Sequence, residues 1–307
     1  MKVVRRQGLV FCLLAAAFSG YIALAGPPSR ASTIPVLALL IVALGIPHGA
    51  LDALLAADLC RRRGVWWWVG FAAAYLATTL LVLAAWHWWP RFLLALFLVL
   101  SASHFGGDLD GCCPRWIRLL YGGAPTVLPA VFHGGELQLL FSWLIPAESA
   151  AQLVGVLGAL AEPYLIAIGA AVILLARRRK PEAAEVAALS GLCLVAPPLL
   201  AFTIFFCGMH SARHILRCLW SDRGAAREGA ASLLMPDRPS GPRLRRAVGL
   251  AAPPMAATLL LLWGYWEQVA GLAPEPRLVR TVFIGLAALT VPHVILVDGL
   301  LPRQNPA

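Results

Sequence analysis

"GIPHGALDALLAADL", residues 45–59, lies inside an apolar run of membrane-spanning length, yet it carries one histidine and two aspartates. An ionisable side chain near the middle of a span costs about 2.5–3.5 kcal/mol on insertion scales, so such a residue is by default functional. A segment that only had to cross a bilayer would hold Leu or Val at these positions. His48 and Asp52 therefore pose two questions, what surrounds them and what they hold.

The rest of the chain has the same apolar character. Of 307 residues, 60% are hydrophobic and 13% charged, and the mean hydropathy is +0.77. A soluble domain carries about 25% charge. Apolar runs long enough to cross a membrane recur along nearly the whole sequence, which predicts an all-α, polytopic helical membrane protein forming one integral domain over 1–307. The net charge of +10 is no sign of nucleic acid, because the arginines cluster between apolar runs, as the positive-inside rule predicts for cytoplasmic loops.

Laying out the spans gives alternating crossings. Residues 8–25 lead outward from Lys2, Arg5 and Arg6, and 34–59 return to Arg61, Arg62 and Arg63. Residues 65–86 go out to Trp86, Trp88 and Trp89, an aromatic belt, and 91–107 come back to Arg115 and Arg118. The Gly- and Pro-broken stretch 119–146 reads as one outward pass followed by a half-helix or surface helix around 137–145. Residues 150–176 return to Arg177–Lys180. Pro197-Pro198 divides 183–220 into a hairpin, 183–196 out and 199–219 back, leading to a basic cytoplasmic loop at 221–246. Spans at 247–268 and 279–301 complete eight to ten crossings. The N-terminal 1–25 could be a cleaved signal ending near Ala23-Leu24-Ala25 or a retained anchor with a cytoplasmic N-terminus. Retention is favoured, since a polytopic protein rarely needs a cleaved signal. The seven scattered cysteines form neither a disulfide framework nor a CxxC zinc site and read as small packing residues.

Of seven histidines, His87 and His133 fall at predicted outer ends and read as interfacial. His48, His104, His210, His214 and His293 lie within spans. On the map above, His48, His104, His214 and His293 stand roughly 20 Å along helices that run in the same direction, with His210 one turn earlier. In "MHSARH", His210 and His214 are four apart and share a helix face. Several imidazoles at one depth of an apolar bundle predict a polyhistidine metal site. It is not an HExxH protease motif, because Ser211 takes the second position. Asp52 follows His48 by four, and Asp108 follows His104 by four, so each carboxylate could accept the free N–H of a ligating imidazole. Asp298, near a helix end, carries little weight. Imidazoles without thiolate suit Fe, Zn, Cu or Ni. Phe105, Phe205, Phe206 and Trp220 flank the candidate ligands.

The segments "PHGALD" (47–52), "SASHFGGD" (101–108), "HSARH" (210–214) and "VPH" (291–293) together resemble, in the same order over about residues 40–300, the Brp/Blh family of membrane β-carotene 15,15'-dioxygenases. That resemblance implies a non-haem Fe(2+) enzyme that cleaves β-carotene with O₂ at its central double bond into two all-trans retinal molecules. It also implies a functional link to a retinal-binding rhodopsin. Carried over residue by residue, the metal ligands and catalytic histidines would be His48, His104, His210 and His214. His293, Asp52, Asp108 and Phe105 would form a second shell or substrate site. Two other readings stand beside it. One is a di-metal lipid hydroxylase or desaturase, although the HxxH boxes of such enzymes are missing. The other is a transporter or assembly factor using buried His and Asp as a relay, for which broken helices at Pro125, Pro129 and Pro197-Pro198 would serve.

Overall fold

The computed structural model describes residues 2–59, 64–109, 113–220 and 241–300. Among these the chain is helical throughout and has no strand. In chain order the helices are α1 (Lys2–Ala25), α2 (Arg30–Ala50), α3 (Asp52–Leu59), α4 (Val65–Trp88), α5 (Pro90–Phe105), α6 (Arg115–Val127), α7 (Pro129–Phe132), α8 (Gly134–Ser142), α9 (Ala147–Ala176), α10 (Lys180–Val195), α11 (Pro198–Phe205), α12 (Ala212–Trp220), α13 (Gly241–Gln268) and α14 (Pro274–Val294). A 3₁₀ turn, Gly106–Asp108, follows α5, and wide π-helical turns at Phe206–Ser211 and Ile295–Leu300 follow α11 and α14.

Eight segments of the described residues are long and apolar enough to cross a membrane: Val3–Ala25, Arg30–Asp58, Val65–Trp88, Pro90–Asp108, Ala147–Ala176, Pro198–Trp220, Gly241–Gln268 and Pro274–Gly299. The protein is an all-α, multi-pass membrane protein. The expected outward pass within 119–146 is replaced by three short helices, α6 to α8, of 13, 4 and 9 residues. Pro125 and Pro129 lack the amide hydrogen a long helix would use, and Gly134-Gly135 weakens propagation further. The hairpin at Pro197-Pro198 is present, with α10 ending at Val195 and α11 starting at Pro198, but α10 has only 16 residues. Residues 241–246, expected in the basic loop, form the first turns of α13. Arg61–Arg63, the loop 221–240 and the tail 301–307 lie outside the described residues.

Helices meet closely where the sequence supplies glycine. A Cβ on Gly122 of α6 would stand 1.9 Å from the Ala102 carbonyl oxygen of α5, and one on Gly106 would stand 2.6 Å from the Arg118 carbonyl oxygen. Small residues permit such approach between membrane helices, where dispersion rather than hydrophobic burial drives association. This contact fixes the end of α5 that bears His104. Gly122→Ala is expected to destabilise the protein by about 1–3 kcal/mol through overpacking; thermal unfolding in detergent is the check. An unchanged melting point would mean the α5–α6 crossing is looser than drawn.

The apolar core is continuous from Phe11 on α1 to Ala287 on α14. Of the five described cysteines, Cys12, Cys113, Cys193, Cys207 and Cys218, all but Cys12 are buried. They serve as small packing residues. Cys60 and Cys112 lie outside the described residues.

Candidate metal centre

Two of the site histidines follow a proline directly, Pro47-His48 in α2 and Pro292-His293 in α14. Each proline deprives the helix of one backbone bond and loosens it locally. After Pro47, α2 ends at Ala50, and the chain turns at Leu51 into α3. After Pro292, α14 widens into the π-helical turn beginning at Ile295. His104 ends α5, and His210 lies within the π-helical turn Phe206–Ser211. Irregular backbone at the same place on four helices lets five imidazoles converge.

They do converge. The His48 ring lies 4.3 Å from His214, 4.7 Å from His210 and 4.8 Å from His293, centroid to centroid. His104 is 4.9 Å from His210 and 4.8 Å from His293. At the centre stands His293 Nε2, 3.2 Å from His48 Nε2 and 3.1 Å from His104 Nε2. These three are the residues among those described whose donor atoms lie mutually within 4.8 Å. His210 and His214 pack on them. His214 Nε2 faces the Cys218 thiol at 3.4 Å.

The carboxylates pair crosswise rather than along their own helices. Asp52 accepts from His293 Nδ1 at 2.8 Å, not from His48, and Asp108 accepts from His210 Nδ1 at 2.9 Å, not from His104. His104 Nδ1 donates instead to Asp298 at 3.0 Å. An imidazole pointing its Nε2 at the centre of a bundle turns its Nδ1 toward the neighbouring helix, so the four-residue spacing within one helix is not the pairing that forms. The Tyr75 hydroxyl also donates to Asp52, at 2.9 Å. Sequence reasoning missed Tyr75, which is one apolar-looking residue in a long apolar helix. His48 Nδ1 is buried without a partner among the described residues.

These bonds fix the tautomers. An ionised carboxylate only accepts, so His104, His210 and His293 each carry a proton on Nδ1, and each ring, when neutral, presents a bare lone pair at Nε2. The Nε2 atoms of His104 and His293 thus face each other at 3.1 Å, a contact that is favourable when a proton or a metal ion lies between them and repulsive when both are bare. Two imidazole nitrogens each about 2.1 Å from one ion, at 90–110° to each other, stand roughly 3.0–3.4 Å apart. The donor set therefore fits a divalent cation, and three aspartates offset its charge and orient the rings.

A second tier fixes Asp108. Arg213, between His210 and His214 in sequence, is 3% exposed. It forms a two-pronged ion pair with Glu185 of α10 at 2.7 and 3.0 Å, and its Nη1 donates to the Asp108 carbonyl at 2.9 Å. Arg217 donates to the same carbonyl at 3.0 Å. Gln7 of α1 accepts from Arg213 Nε at 2.9 Å and donates to the Gly208 carbonyl at 2.7 Å.

A cavity of about 480 Å³, lined almost wholly by apolar side chains, opens onto His48, His104, His210 and His293. Phe105 and Phe206 form part of its wall. The Phe105 ring stands 4.6 Å from His210, and Phe206 stands 6.2 Å from His48. Neither remaining histidine joins the cluster. His87 is exposed beside Trp88, and His133 donates to the Leu194 carbonyl at 3.1 Å.

Fold and site together define a multi-pass membrane protein whose nest of histidines, at the floor of an apolar chamber, could hold a metal ion. The family model for β-carotene 15,15'-dioxygenase matches residues 39–301. The chain belongs to that family. It is 28% identical over 271 residues to the β-carotene 15,15'-dioxygenase of uncultured marine bacterium 66A03, covering 84% of this chain and 90% of the relative. It is also 28% identical over 288 residues to the probable β-carotene 15,15'-dioxygenase Blh of Halobacterium salinarum, covering 84% of this chain and 81% of the relative. No solved structure matches the chain.

Proposed function

We propose that this protein cleaves β-carotene at its central 15,15' double bond with O₂ to give two molecules of all-trans retinal, using Fe(2+) held by the buried histidines. The observation that carries the reading is the set of inward-facing Nε2 lone pairs beside an apolar chamber, in a chain of this family. A redox-active ion in the nest supplies the activation of O₂ that a polyene alone does not provide. One carbon–carbon double bond breaks and two carbonyl bonds form.

The protein's own residues do the rest. His48, His104 and His293 are the proposed ligands at the centre, and His210 and His214 complete the ring around them. Asp52, Asp108 and Asp298 keep the Nδ1 protons of His293, His210 and His104 in place, so that these three rings turn Nε2 toward the centre. The apolar chamber excludes water and holds the polyene, and the rings of Phe105 and Phe206 lie against it beside the histidines. Positioning is the main task, because a carotenoid offers many similar double bonds and the site must select one. The bacterial or archaeal cell membrane, with the N-terminus and the basic segments on the cytoplasmic side, is the proposed location. A rhodopsin using the retinal is the proposed downstream partner.

Coexpression in a β-carotene-producing bacterial host tests the reading. Orange colour is expected to fade and retinal to appear in the extract, and His48→Ala is expected to prevent both. Carotene left intact by well-expressed, iron-loaded protein would remove the claim. Two metal ions per chain would instead favour a di-metal oxygenase.

A further inference from the structure

The chamber above the histidines is closed by core side chains on most of its perimeter but not on all of it. Five of its lining residues are solvent- or lipid-exposed and lie on two membrane-crossing helices: Ala72 and Leu76 on α4, and Gly249, Pro253 and Ala257 on α13. Helix α4 packs against α5 and α14, while α13 packs against α2, α3 and α14. The chamber lies where α4 and α13 would otherwise meet.

The chemistry of this opening is uniform. Its rim carries no charge, and of its five residues Leu76 alone has a large side chain. Both helices are candidate spans, and their outer faces are apolar. Leu80 and Leu81 on α4 and Leu259 and Leu260 on α13 are all exposed. Pro253 and Pro254 stand side by side inside α13. Two adjacent prolines remove two helical amide donors and weaken the ladder at this level. An opening in hydrocarbon with such a rim admits an apolar chain from the bilayer and offers nothing to a polar solute.

We propose that the gap between α4 and α13 is the lateral portal through which the long apolar substrate passes between the lipid and the histidine nest. This rests on the function proposed above. A carotenoid dissolved in the membrane then reaches the site without meeting water, with Leu76 and Ala257 on opposite sides of its path.

Ala257→Cys tagged with a bulky methanethiosulfonate, such as the benzyl reagent, tests the portal in detergent-solubilised, iron-loaded protein. Retinal formation is expected to fall at least tenfold relative to the same sample before tagging and to return when a reductant removes the tag. Iron content should stay constant throughout. Leu81→Cys, on the outer face of α4 away from the chamber, should keep its activity when tagged, as should the unsubstituted protein. Tagged Ala257→Cys that cleaves β-carotene at its untagged rate would overturn the portal. If the unsubstituted protein makes no retinal, it is the proposed function that fails, and the two failures are distinct.

Discussion

His293→Ala is expected to lower retinal formation by more than about 100-fold and to strip the purified protein of its metal. The loss exceeds the 10–100-fold typical when only an outer partner of a metal ligand is removed. The reason is geometric. Among the described residues, His293 Nε2 is the one nitrogen within 3.2 Å of both His48 Nε2 and His104 Nε2, so its removal leaves the other two without their shared neighbour. Asp52→Asn should show the smaller, 10–100-fold effect, since it disturbs the hydrogen bonds of Asp52 to His293 and Tyr75 and leaves the His293 ring itself in place. The set implied by the family resemblance, His48, His104, His210 and His214, gives a different outcome. Under that set His293→Ala retains its metal and loses activity only moderately, whereas His214→Ala loses both. Metal analysis of the two alanine variants, alongside retinal yield, separates the two sets in one experiment.

The second large effect lies away from the histidines. Arg213→Ala leaves Glu185 as a buried charge with its ion-pair partner removed. Breaking such a pair from one side costs about 3–5 kcal/mol, whereas replacing both partners with apolar residues of similar size is often neutral. Arg213→Ala is therefore expected to lower the melting temperature in detergent sharply, and Arg213→Met with Glu185→Leu is expected to restore most of it. Activity should not return in the double variant. Arg213 also holds the Asp108 carbonyl, and the Asp108 carboxylate sets the tautomer of His210. A double variant with full activity would show that Arg213 serves stability alone.

How much of this was readable beforehand depends on what each residue's sequence neighbours reveal. Helical class and span positions follow from composition, because uninterrupted apolar runs leave few alternatives in a bilayer. The five clustered histidines stood out for the same reason. Each is costly where it lies, and their depths agreed once spans were drawn. The pairing of carboxylates was not readable. Spacing along one helix suggests Asp52 with His48 and Asp108 with His104, but the bonds form between helices, and interhelical register is not written in either segment. His293 took the centre on similar grounds, since its neighbours in space come from α2 and α5. The short helices between 115 and 142 were hidden as well. Their prolines forecast interruption but not whether the broken stretch still crosses.

The π-helical turn at Phe206–Ser211 ties the site to chain length. A turn of this kind accommodates one residue more than regular α-helix does, and here that surplus falls between the apolar helix α11 and the stretch carrying Arg213 and His214. Closing the turn to ordinary helical width with all its residues kept would put the helix after it one residue out of register. Everything after it would then rotate by roughly 100°. Arg213 would leave Glu185, and His214 would leave His48, with no side chain altered. For this bundle, the width of that turn is as much a part of the site as the histidines themselves.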